Sequence, residues 1–265
     1  MNQPQLHNIN GINFNLDMQG EGEPLLLLHG GYSNLEVWNR HAAPLAEDFR
    51  MIRYDQRGYG RTEPPAAPFS YYEDIRAVLD HLGIARTHIA ASSFGGSAAI
   101  DFALAYPERV NKLILVAPSL NGRKYPLRLS WEGVKDFLRV QRSGIEKAAD
   151  HFMNNRFWRY LVPQEAQTRA EFKQLYLGNP GFYQSKPSLQ RPLMPLASGR
   201  LGELRMPVLI LEAGRDLPFN RQTCRLLEQQ LPAARLITLE DCGHYPHLEQ
   251  PQQFIAEVKR FLQVK

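Results

Sequence analysis

Ala91-Ser92-Ser93-Phe94-Gly95-Gly96 joins a short apolar run, His88-Ile89-Ala90-Ala91, to a run of helical character from Ser97 to Tyr106. A serine held between the end of a strand and the start of a helix sits in a strained turn. Only small residues fit two places before it and two places after it, because strand and helix approach closely there. That rule separates the two serines. Ser93 is flanked at those distances by Ala91 and Gly95, both small, whereas Ser92 is flanked by Ala90 and the bulky Phe94. Ser93 is therefore the candidate nucleophile. Ala91 replaces the first glycine of the usual G-x-S-x-G pattern and takes up one methyl group of space.

Outward from this turn the chain alternates short apolar runs with amphipathic ones, the pattern of a mostly parallel sheet covered on both faces. Pro24-Leu25-Leu26-Leu27-Leu28-His29, Met51-Ile52-Arg53-Tyr54, Val110 to Ala117, Pro207 to Glu212 and Ala234 to Leu239 read as strands. Tyr71, Ile75, Val78, Leu79 and Leu82 recur at helical spacing before Gly83, and Phe254, Ile255, Val258, Phe261 and Leu262 form a stripe near the C-terminus. The segment 118–203 breaks the rhythm. It holds helix-like, aromatic-rich runs without a convincing strand, and thins into a Pro/Gly/Ser-rich stretch from Gly178 to Gly199.

A serine hydroxyl is a weak nucleophile at neutral pH and needs a base within hydrogen-bonding reach and a third group to orient that base. Asp216, in Ala213-Gly214-Arg215-Asp216, follows one predicted strand, and His244, in Asp241-Cys242-Gly243-His244, follows the next. Serine, aspartate, histidine is the chain order expected when all three stand beyond the carboxyl ends of sheet strands. Each has a rival. Asp216 could merely cap the helix that starts near Asn220. Glu212 competes as the acid but lies at the strand end, Asp241 suits a turn, and His247 precedes a helix-like run. His29-Gly30-Gly31-Tyr32, just after a buried strand, can aim the Gly31 N–H at a developing oxyanion, with the Phe94 N–H as the second donor.

Composition bounds the reading. The 265 residues, 43% hydrophobic and 22% charged, describe a globular protein large enough to bury a sizeable core. No apolar run approaches the roughly 18 residues of a membrane span, and Met1 to His7 lacks the basic-then-apolar order of a secretory signal. Two cysteines, Cys224 and Cys242, are too few for a disulfide framework, and a cytoplasmic, reduced state is expected. No Cys/His spacing suggests a metal site. The net charge of +4 is uneven. Residues 118–203 carry 14 Lys+Arg against 7 Asp+Glu, an excess of +7, and the remainder carries 17 against 20, or −3. No nucleic-acid motif accompanies the basic segment.

Together, His29-Gly30-Gly31, Asp55-Gln56-Arg57-Gly58-Tyr59-Gly60-Arg61-Thr62, Ser93-Phe94-Gly95-Gly96, Pro107-Glu108-Arg109-Val110, Asp216 and Gly243-His244 resemble the α/β-hydrolase superfamily nearly end to end. The resemblance implies an α/β fold with a central, mostly parallel sheet of about eight strands. It also implies a core formed by 1–117 and 204–265 and a helical lid over 118–203. Asp55 and Arg57 belong to a segment that, in this family, holds loops together. The implied chemistry is a Ser93–His244–Asp216 triad with an oxyanion hole at Gly31 and Phe94, acting on a carboxylic ester or lactone of a small molecule. Tyr32, Trp131 and Phe157 are expected to line the substrate site. The triad chemistry needs no metal and no organic cofactor, and the missing nucleic-acid motif and spanning run lead to the expectation of no nucleic acid and no membrane as partner. Most of the lid charge suits the solvated faces of helices, and part of it suggests an anionic substrate met by Arg123, Lys124 and Arg128. Carbon–carbon bond hydrolases of this fold use the same triad. Proline iminopeptidases are similar in the first two motifs, but their H-G-G-P-G and G-G-S-W-G sequences are missing here. A small-molecule receptor that retains the triad is the reading from another class. Serine at position 93 speaks against dehalogenases and epoxide hydrolases of the fold, which use aspartate.

Overall fold

A computed structural model describes residues 3–263. Eight strands, β1 (Gln5–Ile9), β2 (Ile12–Gln19), β3 (Glu23–Leu28), β4 (Phe49–Tyr54), β5 (Thr87–Ser92), β6 (Val110–Val116), β7 (Val208–Ala213) and β8 (Ala234–Leu239), form one sheet in the order β1-β2-β4-β3-β5-β6-β7-β8. The β1–β2 and β2–β4 pairs are antiparallel, and every other pair is parallel. The helices are α1 (Asn39–Ala46), α2 (Tyr71–His81), α3 (Phe94–Ala105), α4 (Leu127–Ser143), α5 (Ile145–Asn154), α6 (Ala166–Leu177), α7 (Pro180–Gln184), α8 (Pro218–Gln230), α9 (Pro246–Glu249) and α10 (Pro251–Gln263). The expected α/β architecture and strand number are therefore present.

Strand periodicity explains the two-sided core. Side chains alternate faces along a strand, so a strand buried on both sides reads as continuous leucine. In β3, Leu26 and Leu28 join a cluster with Ile75, Val78 and Leu79 of α2, Ala99 and Phe102 of α3 and Leu227 of α8. Leu25 and Leu27 join the opposite cluster with Leu45 of α1 and Phe254, Val258 and Leu262 of α10. All four leucines of β3 are wholly buried, each worth roughly 1.5–3 kcal/mol relative to exposure.

Between β6 and β7 run α4, α5, a 3-10 helix at Arg156–Tyr160, α6 and α7. Phe152, Trp158, Phe172, Tyr176 and Tyr183 of this stretch bury against one another and extend the second core cluster. Phe152 stacks on Trp158 with ring centroids 4.8 Å apart, and Tyr176 stacks on Tyr32 at 5.8 Å. A buried carboxylate ties three of these helices. Asp136 of α4 accepts hydrogen bonds from the hydroxyls of Tyr176 on α6, at 2.9 and 3.0 Å, and of Tyr183 on α7, at 3.1 Å. Burial pushes its pKa up to about 6. Among the described residues, no helix is long and apolar enough to cross a membrane.

Candidate active site

Parallel strands present their carboxyl ends along one edge, and the loops leaving that edge collect at one place. Ser93 follows β5, Asp216 follows β7, His244 follows β8 and Gly31 follows β3. Ser93 has φ 48° and ψ −116°, a conformation suited to glycine that costs a side-chain-bearing residue roughly 1–3 kcal/mol. The surroundings impose it. Ser93 N–H donates to the Val116 carbonyl at 2.9 Å, and the Ser93 carbonyl accepts from Gly96 and Ser119, both at 2.9 Å. A Cβ on Gly95 would stand 2.4 Å from the His29 carbonyl oxygen and 2.9 Å from that of Leu28, which is why that position must be glycine.

The hydroxyl of Ser93 lies 2.7 Å from His244 Nε2, and His244 Nδ1 lies 2.6 Å from Asp216 Oδ2. The other oxygen of Asp216 accepts from the Leu217 N–H and from Asn220 Nδ2, both at 2.7 Å. Asp216 thus caps the approach to α8 and faces the imidazole with the same carboxylate. Glu212 is wholly buried beneath α8, where Arg221 and Arg225 of that helix hold it at 3.3 and 3.4 Å. Asp241 sits in a left-handed turn with φ 60° and pairs with Arg215 on the surface.

The loop after β3 is fixed from below and from the side. His29 is fully buried. Its Nε2 accepts the Gln56 N–H at 2.9 Å and its Nδ1 donates to the Gly30 carbonyl at 2.8 Å, roles that only the neutral ring with its proton on Nδ1 fills together. Burial holds its pKa down at about 4. From the side, the hydroxyl of Tyr245 donates to the Gly31 carbonyl. Phe94 is the first residue of α3, so its N–H has no carbonyl one turn earlier in the helix to bond. Asp55 accepts from the Leu35 N–H (2.7 Å), the Arg61 N–H (2.9 Å) and Asn15 (2.7 Å), while Arg57 pairs with the buried Asp74. These two residues hold loops, away from the Ser93 hydroxyl.

A cavity of about 400 Å³ opens above Ser93 and His244. Gly31, Tyr32 and Phe94 line it together with aromatic side chains such as Tyr59, Trp158 and Phe182. Two of the three expected substrate-lining residues need correction. Trp131 does not line the cavity, because it points outward from α4 and is 60% exposed. Phe157 does not line it either. Its ring packs against Trp158 at 4.9 Å and under the Arg128 guanidinium at 5.3 Å, and Trp158 takes the cavity position instead. Arg123 lies over the Phe219 ring at 4.7 Å, and neither it nor Lys124 nor Arg128 reaches the lining. The sole lysine or arginine among the described lining residues is Lys186, and no aspartate or glutamate is among them. Trp158 and Lys186 in the lining were not found by sequence reasoning, nor were Asn220 and Tyr245 beside the candidate triad. Asn220 and Tyr245 lie within four residues of a candidate triad member, which is the one signal that could have drawn attention to them.

Strand order, the turn at Ser93 and the loop positions define an α/β hydrolase. The chain matches the family described as alpha/beta hydrolase fold over residues 23–251, and it belongs to that family. Among curated relatives, it is 30% identical to a 2-hydroxymuconate semialdehyde hydrolase of Pseudomonas sp. strain CF600, over 95% of this chain and 91% of that one. It is 28% identical to a pimeloyl-[acyl-carrier protein] methyl ester esterase of Aeromonas hydrophila, over 92% of this chain and 96% of that one. Among solved structures, a thermophilic esterase from Thermogutta terrifontis superposes with a TM-score of 0.83 at 21% identity, covering 99% of this chain and 98% of that one. The enol-lactonase from Burkholderia xenovorans LB400 superposes with a TM-score of 0.82 at 22% identity, covering 98% and 100%.

Proposed function

We propose that the chain is a serine hydrolase that cleaves a carboxylic ester or lactone of a small molecule through an acyl-enzyme. The single observation that carries this reading is the continuous hydrogen-bonded line Ser93 Oγ–His244 Nε2–Nδ1–Asp216 Oδ2, at 2.7 and 2.6 Å. His244 takes the Ser93 proton as the hydroxyl oxygen attacks the carbonyl carbon. Asp216 keeps the imidazole in the tautomer with its proton on Nδ1 and stabilises the imidazolium. The Gly31 and Phe94 N–H groups receive the oxyanion, each such donor being worth about 3 kcal/mol in the transition state. His244 then protonates the departing alkoxide. In the second half it activates a water that releases the acid and restores Ser93. The helical segment 118–203 acts as the lid over this site. Two buried free thiols, Cys224 and Cys242, support a reducing, cytoplasmic location.

A second reading, hydrolysis of a carbon–carbon bond beside a ketone, is favoured by the 2-hydroxymuconate semialdehyde hydrolase among the relatives. It uses the same residues. Labelling with a fluorophosphonate, followed by turnover of short p-nitrophenyl esters and of a vinylogous 1,5-diketone, separates these readings. Rapid labelling of Ser93 with many ester turnovers is the expected result. Turnover of the diketone alone selects carbon–carbon cleavage, and labelling without turnover of either selects a receptor.

A further inference from the structure

Helix α4 has two faces with different fates. Its inner face closes the site, since Leu129, Ser130 and Gly133 line the cavity, and Asp136 is bonded to Tyr176 and Tyr183. Its outer face carries Leu127 (90% exposed), Trp131 (60%), Val134 (46%) and Leu138 (38%). The spacing i, i+4, i+7, i+11 places these four in one stripe along a helix about 25 Å long. Arg128, Lys135 and Arg142, seven residues apart, form a basic row along one side of the stripe. Lys135 shares its charge with Glu132 at 2.7 Å, and Arg128 lies over Phe157. The segment containing this helix holds the chain's positive excess, +7 against −3 elsewhere.

We propose that this ridge seats the chain on an anionic phospholipid surface. The helix lies in the plane of the interface, with Leu127, Trp131, Val134 and Leu138 at the headgroup–acyl boundary and the basic row among the phosphates. An apolar stripe bearing Trp and Leu beside a Lys/Arg row is the composition of an interfacial helix. The ridge is convex, so a deformable surface can receive it without a preformed groove. A second copy packed antiparallel fits less well. Two such ridges packed antiparallel would bring their basic rows to the same side, cation against cation. The proposal needs no spanning run, because an interfacial helix lies on the surface.

The test uses the full chain with vesicles of phosphatidylglycerol and phosphatidylcholine, and of phosphatidylcholine alone, at low and physiological salt. Co-sedimentation with the anionic vesicles is expected, weakening with salt. A blue shift of tryptophan emission should accompany it and disappear in Trp131→Phe, since Trp38 and Trp158 are buried. The double variant Leu127→Ser/Leu138→Ser is expected to weaken binding by roughly tenfold or more. Arg128→Gln/Lys135→Gln/Arg142→Gln is expected to weaken it by roughly a hundredfold. Thermal melting checks that each variant folds. Absence of binding at low salt, or binding that the serine variant leaves unchanged, overturns the proposal. So does a dimer that the serine variant converts to a monomer, which would assign the stripe to a second copy. Binding is read without turnover, so these outcomes are independent of the hydrolytic reading.

Discussion

The carbonyl oxygen of Tyr160 accepts the backbone N–H of His244 at 2.8 Å, tying the segment between β6 and β7 to the loop that carries the imidazole. The contact depends on Gly243, where a Cβ would stand 2.3 Å from that same oxygen. Gly243→Ala is expected to push the two segments apart, at a cost of about 1–3 kcal/mol in stability. It should also lower kcat, because His244 moves with its loop. Denaturant unfolding and ester kinetics on one preparation check both effects together. Unchanged kcat in a destabilised variant would show that the imidazole is placed independently of Tyr160.

Ser93→Ala is expected to lower kcat by about 10^4-fold or more with the fold retained, and Ser92→Ala to leave most of it. The Ser92 side chain is buried against the Gly30 loop and outside the cavity lining. Active-site labelling followed by peptide mapping identifies which serine is modified.

Asp216→Asn should lower kcat by roughly 10^4-fold by allowing the wrong imidazole tautomer. Glu212→Gln should instead lower stability by about 1–3 kcal/mol, since it weakens the contacts that the half-exposed Arg221 and the exposed Arg225 make to this buried carboxylate. A pH–rate profile beside a melting curve for each variant distinguishes the two outcomes, and equal losses of kcat would falsify the assignment of Asp216.

Lys186 is the cavity-lining cation, so Lys186→Met should lower kcat/KM for a carboxylate-bearing ester by roughly fivefold and leave its neutral analogue unchanged. The discrimination should shrink as salt rises. Equal effects on both esters would reduce Lys186 to a steric contribution.

Asp136 sets a pH dependence of stability. Burial raises its folded-state pKa to about 6, above the value of an unfolded carboxylic acid, so between about pH 4 and 6 the folded chain holds a proton that unfolding releases. Its contribution is complete below about pH 4 and is lost as pH rises through 6. Asp136→Asn removes this titration. The Tm of the variant relative to the parent should therefore be higher at pH 7.5 than at pH 4.5. A difference that is flat, or that runs the other way, would contradict the raised pKa.

The turn at Ser93 was legible in the sequence because its constraint is local. Close approach of β5 and α3 forbids a side chain at Gly95, and one chain position reports it. Strand β3 was legible because burial on both faces demands an unbroken apolar run. The hairpin of β1 and β2 was not, because its outer strand is largely exposed and carries Gln, His and Asn. Its turn did have a signal, Asn10-Gly11, with φ 52° and 82°. Trp131 and Phe157 were misplaced because an aromatic count says nothing about which side of a helix meets the cavity. The contacts of Tyr245 with Gly31 and of Asn220 with Asp216 join chain segments that only the folded sheet brings together.

The backbone of Ser93 has a consequence for descent as well as for catalysis. Glycine adopts φ 48°, ψ −116° freely and serine does not. Under the proposed mechanism, the residue best for folding and the residue best for turnover at position 93 are different ones. A lineage released from the need to turn over substrate would gain stability by exchanging serine for glycine there. Loss of the hydroxyl by mutation at this site is therefore downhill in backbone strain, and its recovery uphill.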